Sequence, residues 1–277
     1  MFIFLLSFSC RPADDGEEPS LSLGNSHTCS LMQGEVDCWG LNNSNQSMPP
    51  EGEFIDIDLG AYHSCAIQLN QEISCWGLNA SGQTTGLNGL YTTLSAGGNH
   101  TCAIDVQGRV QCIGANQDGQ TEAPTGMFIQ VATGAGHSCA LDSERLVHCW
   151  GSNFDGLLHV PMGSFEKLYA GDYHNCVLDD VGRVLCWGSN IYGQLDAPDF
   201  RFESLALGAF HSCGVTNDHR ALCWGWNDAG QGDPPLIPWK HLYSGGYHTC
   251  GVNDIDEIYC WGDNASAQAD VPTFGIQ

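Results

Sequence analysis

Apolar and polar residues along this chain alternate in short runs, and no run shows a convincing helical period. In one stretch Phe54, Ile55, Ile57 and Leu59 lead to Gly60, His63 to Leu69 follow, and Ile73 to Trp76 end the unit. Short alternating runs bounded by Gly and Asn predict half-buried strands joined by turns, three to a unit. Gly and Asn at the strand ends suit positive φ and side-chain-capped turns.

The unit recurs seven times. Its anchor histidines are His27, His63, His100, His137, His174, His211 and His248; the first step is 36 residues and every later step 37. A Gly stands three residues before each His, from Gly24 to Gly245. A second Gly falls two residues after the second cysteine of each unit, from Gly40 to Gly262, with an Asn two further on, from Asn42 to Asn264. A bulky residue precedes the His by nine in six repeats: Phe54, Tyr91, Phe128, Phe165, Phe202 and Trp239. A 37-residue unit is too short for a domain, and a small antiparallel sheet cannot bury two faces alone, so the units must stack. Radial stacking makes this an all-β protein, a seven-bladed β-propeller of 37-residue repeats.

Fourteen of the fifteen cysteines fall into the repeat as Cys29 and Cys38, Cys65 and Cys75, Cys102 and Cys112, Cys139 and Cys149, Cys176 and Cys186, Cys213 and Cys223, and Cys250 and Cys260. Setting Cys102 opposite Cys112 puts Ile104 opposite Val110 and leaves a short loop around Gln107-Gly108. The same pairing in the first repeat leaves Gln33-Gly34 as a two-residue turn, so the 36-residue step falls in a turn. Opposed positions of an antiparallel pair lie within disulfide reach, which predicts one disulfide inside each blade. The alternative is bridging between blades, such as Cys38 to Cys65. No C-x-x-C pair is present to suggest zinc.

Eight Lys and Arg against 32 Asp and Glu give a formal charge of −24. Such a surface repels phosphate backbones and argues against nucleic acid as a partner. Heavy cysteine usage points to an oxidising compartment, and no apolar run is long enough for a transmembrane helix. Residues 1–10 (MFIFLLSFSC) form an apolar run that resembles a bacterial lipoprotein signal ending at Cys10, the one unpatterned cysteine. It departs from that pattern in lacking a basic residue before the run and in having Ser7 where Leu is usual. The expectation is export, with Cys10 the candidate lipidation site, residues 11–19 a polar tether and residues 20–277 the propeller. Glu18 stands where the other repeats have their bulky residue. The C-terminus, with Phe274 and Ile276, is therefore expected beside residues 18–20, where it would complete one blade.

The motif G-x-x-H-[ST]-x-x-[IL], a turn, then V-x-x-W-G-x-N-x-x-G-Q resembles the repeat of the regulator of chromosome condensation family. The resemblance covers residues 20–277 and implies a seven-bladed propeller. The short period is similar to bacterial beta-lactamase inhibitory propellers, and the paired cysteines to secreted versions that include plant crinkly-type receptor ectodomains. The family's roles range from nucleotide exchange on a nuclear GTPase and photoreception to receptor ectodomains and enzyme inhibition, so it implies no single activity.

Seven histidines in one column are read as structural, bonding backbone groups in their own or the next blade, because catalysis does not need one residue seven times. His148, His159, His219 and His241 are unpatterned and read as surface. The Asn column is read as turn caps, so the sequons at Asn42, Asn79 and Asn264 are incidental. The acidic stretch Asn253–Glu257 reads as a polar turn in preference to a calcium loop. No metal ligands, catalytic residues or cofactor are assigned. The informative residues break the repeat: Tyr62, Tyr173, Phe210 and Tyr247 just before the His, and Phe154, Ile191, Tyr192 and Trp226 after the W-G. Both loops should open on one face, which makes these eight residues a candidate protein-binding surface; packing between blades is the alternative. The expected function is a non-catalytic, exported, monomeric scaffold for a protein partner, in the cell envelope or outside the cell. The other reading, a carbohydrate-binding or enzymatic site at the central tunnel, calls for convergent acids or histidines that break the sevenfold pattern. None is evident in the sequence.

Overall fold

The computed structural model describes residues 18–273. Lipidation of Cys10, the tether up to residue 17, and the placement of Phe274 and Ile276 lie outside the described residues.

Seven three-stranded antiparallel meanders follow one another in chain order, one per repeat. Blade 2 shows the pattern: an inner strand Phe54–Leu59, a middle strand His63–Gln68 and an outer strand Ile73–Gly77. Every cysteine pair is directly opposed across the middle and outer strands, Cα atoms 4.0–4.1 Å apart, and forms a disulfide within its own blade. In blade 1, Met32 opposes Glu35, and Gln33 and Gly34 turn with φ of 53° and 81°. That is the two-residue turn expected from the shorter spacing.

The core lies between blades. Leu31 and Cys29 of blade 1 pack on Phe54, Ile57 and Leu59 of blade 2, and equivalent clusters recur around the ring. The bulky column fills these gaps: Tyr91 and Trp239 are fully buried. Along the inner strand, burial departs from simple alternation. Phe54, Ile57 and Leu59 are buried while Ile55 is half exposed. The cause is a β-bulge after Phe54, which shifts the face of the strand by one residue and recurs in four other blades.

The inner strands leave a sheet edge toward the central channel, and each blade covers part of the next blade's edge. Ser22 Oγ accepts from Leu59 N (3.0 Å), Asp58 Oδ2 from Ala96 N (2.9 Å) and Ser95 Oγ from Thr133 N (3.1 Å). Gln130 brackets Leu168, its amide donating to the carbonyl and its oxygen accepting from the N–H.

Every anchor histidine is fully buried. Its Nε2 bonds a side chain of the following blade, not the backbone groups anticipated above. The pairs run His27–Ser64, His63–Thr101, His100–Ser138, His137–Asn175, His174–Ser212, His211–Thr249 and His248–Thr28, at 2.7–3.0 Å. Side-chain partners win because these hydroxyl and amide groups sit on the neighbouring middle strand, facing the ring. The Gly before each His is required by space rather than by positive φ. A Cβ on Gly171 would stand 2.3 Å from Gly208 O and 2.9 Å from His174 Cε1. The Gly after each Trp position does need its positive φ, 94–108°.

The loop after the outer strand is a second latch. Asn190 Oδ1 accepts from Leu195 N, and Gln194 Oε1 from Tyr192 N. This holds the Gln194 carbonyl where Ser212 Oγ and Trp224 Nε1 of the next blade donate to it, at 3.1 and 2.9 Å. The Asn caps recur in all seven repeats. The ring closes on the same device, since Gln268 O accepts from Thr28 Oγ1 and Trp39 Nε1. Asn253 folds its acidic stretch into a turn by accepting from the N–H groups of Ile255 and Glu257.

Candidate protein-binding face

The inner strands run toward one face of the ring and the outer strands return to it. The link before each His and the loop after each W-G therefore open side by side. Six of the eight residues singled out by breaking the repeat meet there. Phe154 approaches Tyr173 edge-on at 6.5 Å between ring centroids. Tyr173 stacks on Phe210 at 4.8 Å and 14°. Tyr192 meets Phe210 at 5.3 Å and Trp226 at 6.3 Å, and Trp226 meets Tyr247 at 5.3 Å. The result is a continuous arc of rings over blades 4 to 7. Tyr62 and Ile191 make none of these ring contacts but stand exposed on the same side.

The rings pack on one another rather than into the interblade core. Phe154 is 60% exposed and Tyr192 49%, while Tyr173, Phe210, Trp226 and Tyr247 are half-buried. All five of these ring contacts join neighbouring blades, so the rings fix one another and remain partly exposed. Burial raises the hydroxyl pKa of Tyr173 and Tyr247, and the nearby Asp172 carboxylate adds to the shift.

The channel contains acids that the sequence reading did not single out. About 120 Å³ of space runs between the seven blades and touches Asp58 and Asp172. Both break the sevenfold pattern: Ser, Ala or Tyr stands in most blades where blade 2 has Asp58. Asp58 is engaged by Ser22 Oγ and Leu59 N on one oxygen and Ala96 N on the other. Burial nevertheless raises its pKa. Asp56, two residues earlier on the strand, is pushed up to about 6 by burial and by Asp58. Asp172 is also pushed up to about 6, by burial alone. Its carboxylate has no hydrogen bond or ion pair among the described residues. The signal for it was present, as Asp172 replaces the Gly, Ala or Asn found beside the ring of glycines, but only the closed ring shows that this position faces the channel mouth.

The other residues weighed earlier fall outside the face. His148, His219 and His241 are exposed and pair with Asp142, Asp254 and Glu18 respectively. His159 is exposed. Among the described residues no group of three or more His, Cys, Asp or Glu is placed to hold a metal ion. No described helix is long and apolar enough to cross a membrane.

A model described as the regulator of chromosome condensation (RCC1) repeat matches residues 54–83, 91–120, 128–157, 165–194, 202–231 and 239–268, more than half of the chain. No curated protein matches the chain in sequence. Among solved structures, the ectodomain of the receptor kinase CR4 from Physcomitrella patens is 28% identical with a TM-score of 0.76, over 89% of this chain and 74% of that one. The CRINKLY ectodomain of the receptor kinase ACR4 from Arabidopsis thaliana is 27% identical, also with a TM-score of 0.76, over 88% of this chain and 97% of that one. Prp20p from Saccharomyces cerevisiae, described with its binding to Gsp1p and histones, shares the fold at 16% identity and a TM-score of 0.75, over 91% and 84% of the two chains. Six matched repeats, the seven blades and these likenesses lead to one statement of kinship: the chain belongs to the RCC1-repeat family of seven-bladed propellers.

Proposed function

We propose that this propeller is an exported, non-catalytic scaffold that binds a protein partner through the aromatic arc. The observation that carries the reading is the arc itself. Six rings from four blades, all at positions where the repeat is broken, stand half exposed on a rigid frame. Large aromatic side chains on a pre-ordered surface are the usual anchors of protein recognition, because they contribute area at little entropic cost. The family supports the same use of the fold: Prp20p binds Gsp1p and histones, and two similar propellers are receptor ectodomains. Seven disulfides support an oxidising location. The channel is the weaker host, because its space is only about 120 Å³ and Asp58 is already engaged on both oxygens, which leaves Asp172 without a second free acid beside it there.

Alanine at Tyr173, Trp226 and Tyr247 removes the arc without touching the His ring or the disulfides. The triple variant is expected to melt within a few degrees of the parent and to lose capture of its partner from the native cell envelope or secreted fraction. Capture that survives the triple variant refutes the reading.

A further inference from the structure

Among the described residues, Lys and Arg are confined to one side. Among the described residues, Arg109, Arg145, Arg183 and Arg220 lie in the turns between middle and outer strands. Lys167, Arg201 and Lys240 lie at the start of inner strands. Both sets belong to the side opposite the arc. Several are already paired, Arg109 with Asp105, Arg183 with Asp179, and Lys240 with Glu18 and Asp256. The arc side has no Lys or Arg among the described residues, and carries Asp118, Asp155, Asp172, Asp228 and Asp263 in its loops.

One place on that side combines charge with shape. Between blades 4 and 5 a depression of about 370 Å³ is walled by Phe154 and Tyr173, floored by Gly136 and Leu157, and bordered by Asp118 and Asp172. Neither carboxylate has a hydrogen bond or ion pair among the described residues. Gly136 lies beside Asp118, whose Oδ2 is 3.6 Å from where a Cβ would stand. The cleft exists because repeat 4 differs from the others. Leu157 replaces the Gln that elsewhere braces the loop, and the loop takes a short 3₁₀ turn over Phe154–Gly156, with Asp155 at φ 51°. This turn carries the Phe154 ring out to 60% exposure at the end of the arc.

We propose that this depression receives an arginine side chain of the protein partner, with the guanidinium against the open faces of the edge-packed Phe154 and Tyr173 rings and paired to Asp172 and Asp118. The inference rests on the reading of the arc as a protein-binding face and names the chemistry that the partner must bring. A planar guanidinium stacks flat on an aromatic face while its in-plane N–H groups donate to carboxylates at its edge, a combination that a tetrahedral ammonium lacks. A side with no Lys or Arg among the described residues favours a cationic partner before contact, and a carboxylate held in a half-buried position without a counter-charge gains most from one.

The test uses two peptides, Gly-Ser-Arg-Ser-Gly and the same peptide with neutral, nearly isosteric citrulline in place of arginine. Ring signals of Phe154 and Tyr173 are followed by NMR on the disulfide-intact protein. The arginine peptide is expected to shift both rings and to bind about tenfold more tightly than the citrulline peptide. Asp172→Asn and Asp118→Asn, each checked for an unchanged melting temperature, are expected to abolish that difference, and Phe154→Ala to weaken arginine binding. Equal responses to the two peptides, or a preference that survives both Asn variants, overturn the proposal. A lysine peptide that binds as well as arginine overturns the assignment to a planar group. These outcomes are separate from failure of the arc reading. If the Tyr173, Trp226 and Tyr247 triple variant loses partner capture while Asp172→Asn and Asp118→Asn keep it in full, the arc stands and the arginine site falls.

Discussion

At the scale of single residues, the histidine ring sets how this protein responds to acid. Burial is the main cause of its low basicity, and neighbouring histidines in the ring add repulsion for some members. His27, His100, His174 and His248 are pushed down to about 3, and His63, His137 and His211 to about 4. An unfolded chain protonates its histidines near their ordinary value of 6.5. Between that value and about 3–4 the unfolded state therefore binds more protons, so the ring's contribution is complete above 6.5 and is lost as the pH falls toward 4. Asp56 and Asp172, raised to about 6, work the other way: they favour the folded state at low pH and lose that contribution as the pH rises through 6. Asp58, also raised by burial, acts in the same sense, and seven histidines outweigh these three carboxylates. Urea unfolding between pH 7 and pH 4.5 is expected to show stability falling steeply with acid, and replacing His174 by Gln to make that fall shallower. A flat profile would mean that the ring is hydrated in solution. The role of these histidines could be read from their repetition alone. Their partners could not, because a hydroxyl or amide immediately before a buried cysteine looks like any strand residue until the next blade is set against it.

At the scale of the element, each blade is a hairpin with a staple. Its cysteines are 9 or 10 residues apart, and closing a loop of that length in the unfolded chain contributes about 2–3 kcal/mol. Replacing both Cys176 and Cys186 by Ala is expected to cost about that much in reversible unfolding, while the neighbouring blades keep their own disulfides. A cost near zero would locate blade stability in the interblade core alone. The hairpins were legible because the spacing of the cysteines, including the shorter first repeat, leaves only one register that opposes them. The inner strand was less legible. Phe54, Ile55, Ile57 and Leu59 look like four core residues, and only the bulge decides that Ile55 faces out. A bulge comes from the fit of two strands to a curved neighbour and leaves no period in the sequence.

At the scale of the whole molecule, the ring depends on contacts between its ends. His248 bonds Thr28, and Gln268 O receives Thr28 and Trp39, across 220 to 240 residues of chain. A chain ended after residue 262 keeps the strands of blade 7 but loses the Gln268 carbonyl. Such a chain is expected to be less stable by about 2–4 kcal/mol in urea unfolding. An unchanged midpoint would show that the histidine and the apolar cluster close the ring unaided. Propeller and blade number were readable from seven copies of one motif. The face that matters was only half readable: its aromatic residues stood out as exceptions to the repeat, whereas the channel-mouth Asp172 and the one-sided placement of Lys and Arg emerge only when the strands are given directions.

The same closure imposes an order in time. Leu21 and Leu23 of the first blade find their apolar partners, Cys250 and Val252, in the last. During synthesis the first blade can form its hairpin early, yet one flank stays bare until the seventh repeat has emerged. Every intermediate before that moment has a bare flank at each end, and contacts so distant in sequence form slowly. The chain is thus most vulnerable to sticking to its own copies just before the seventh repeat docks on the first, and that repeat decides whether it becomes a ring or an open stack.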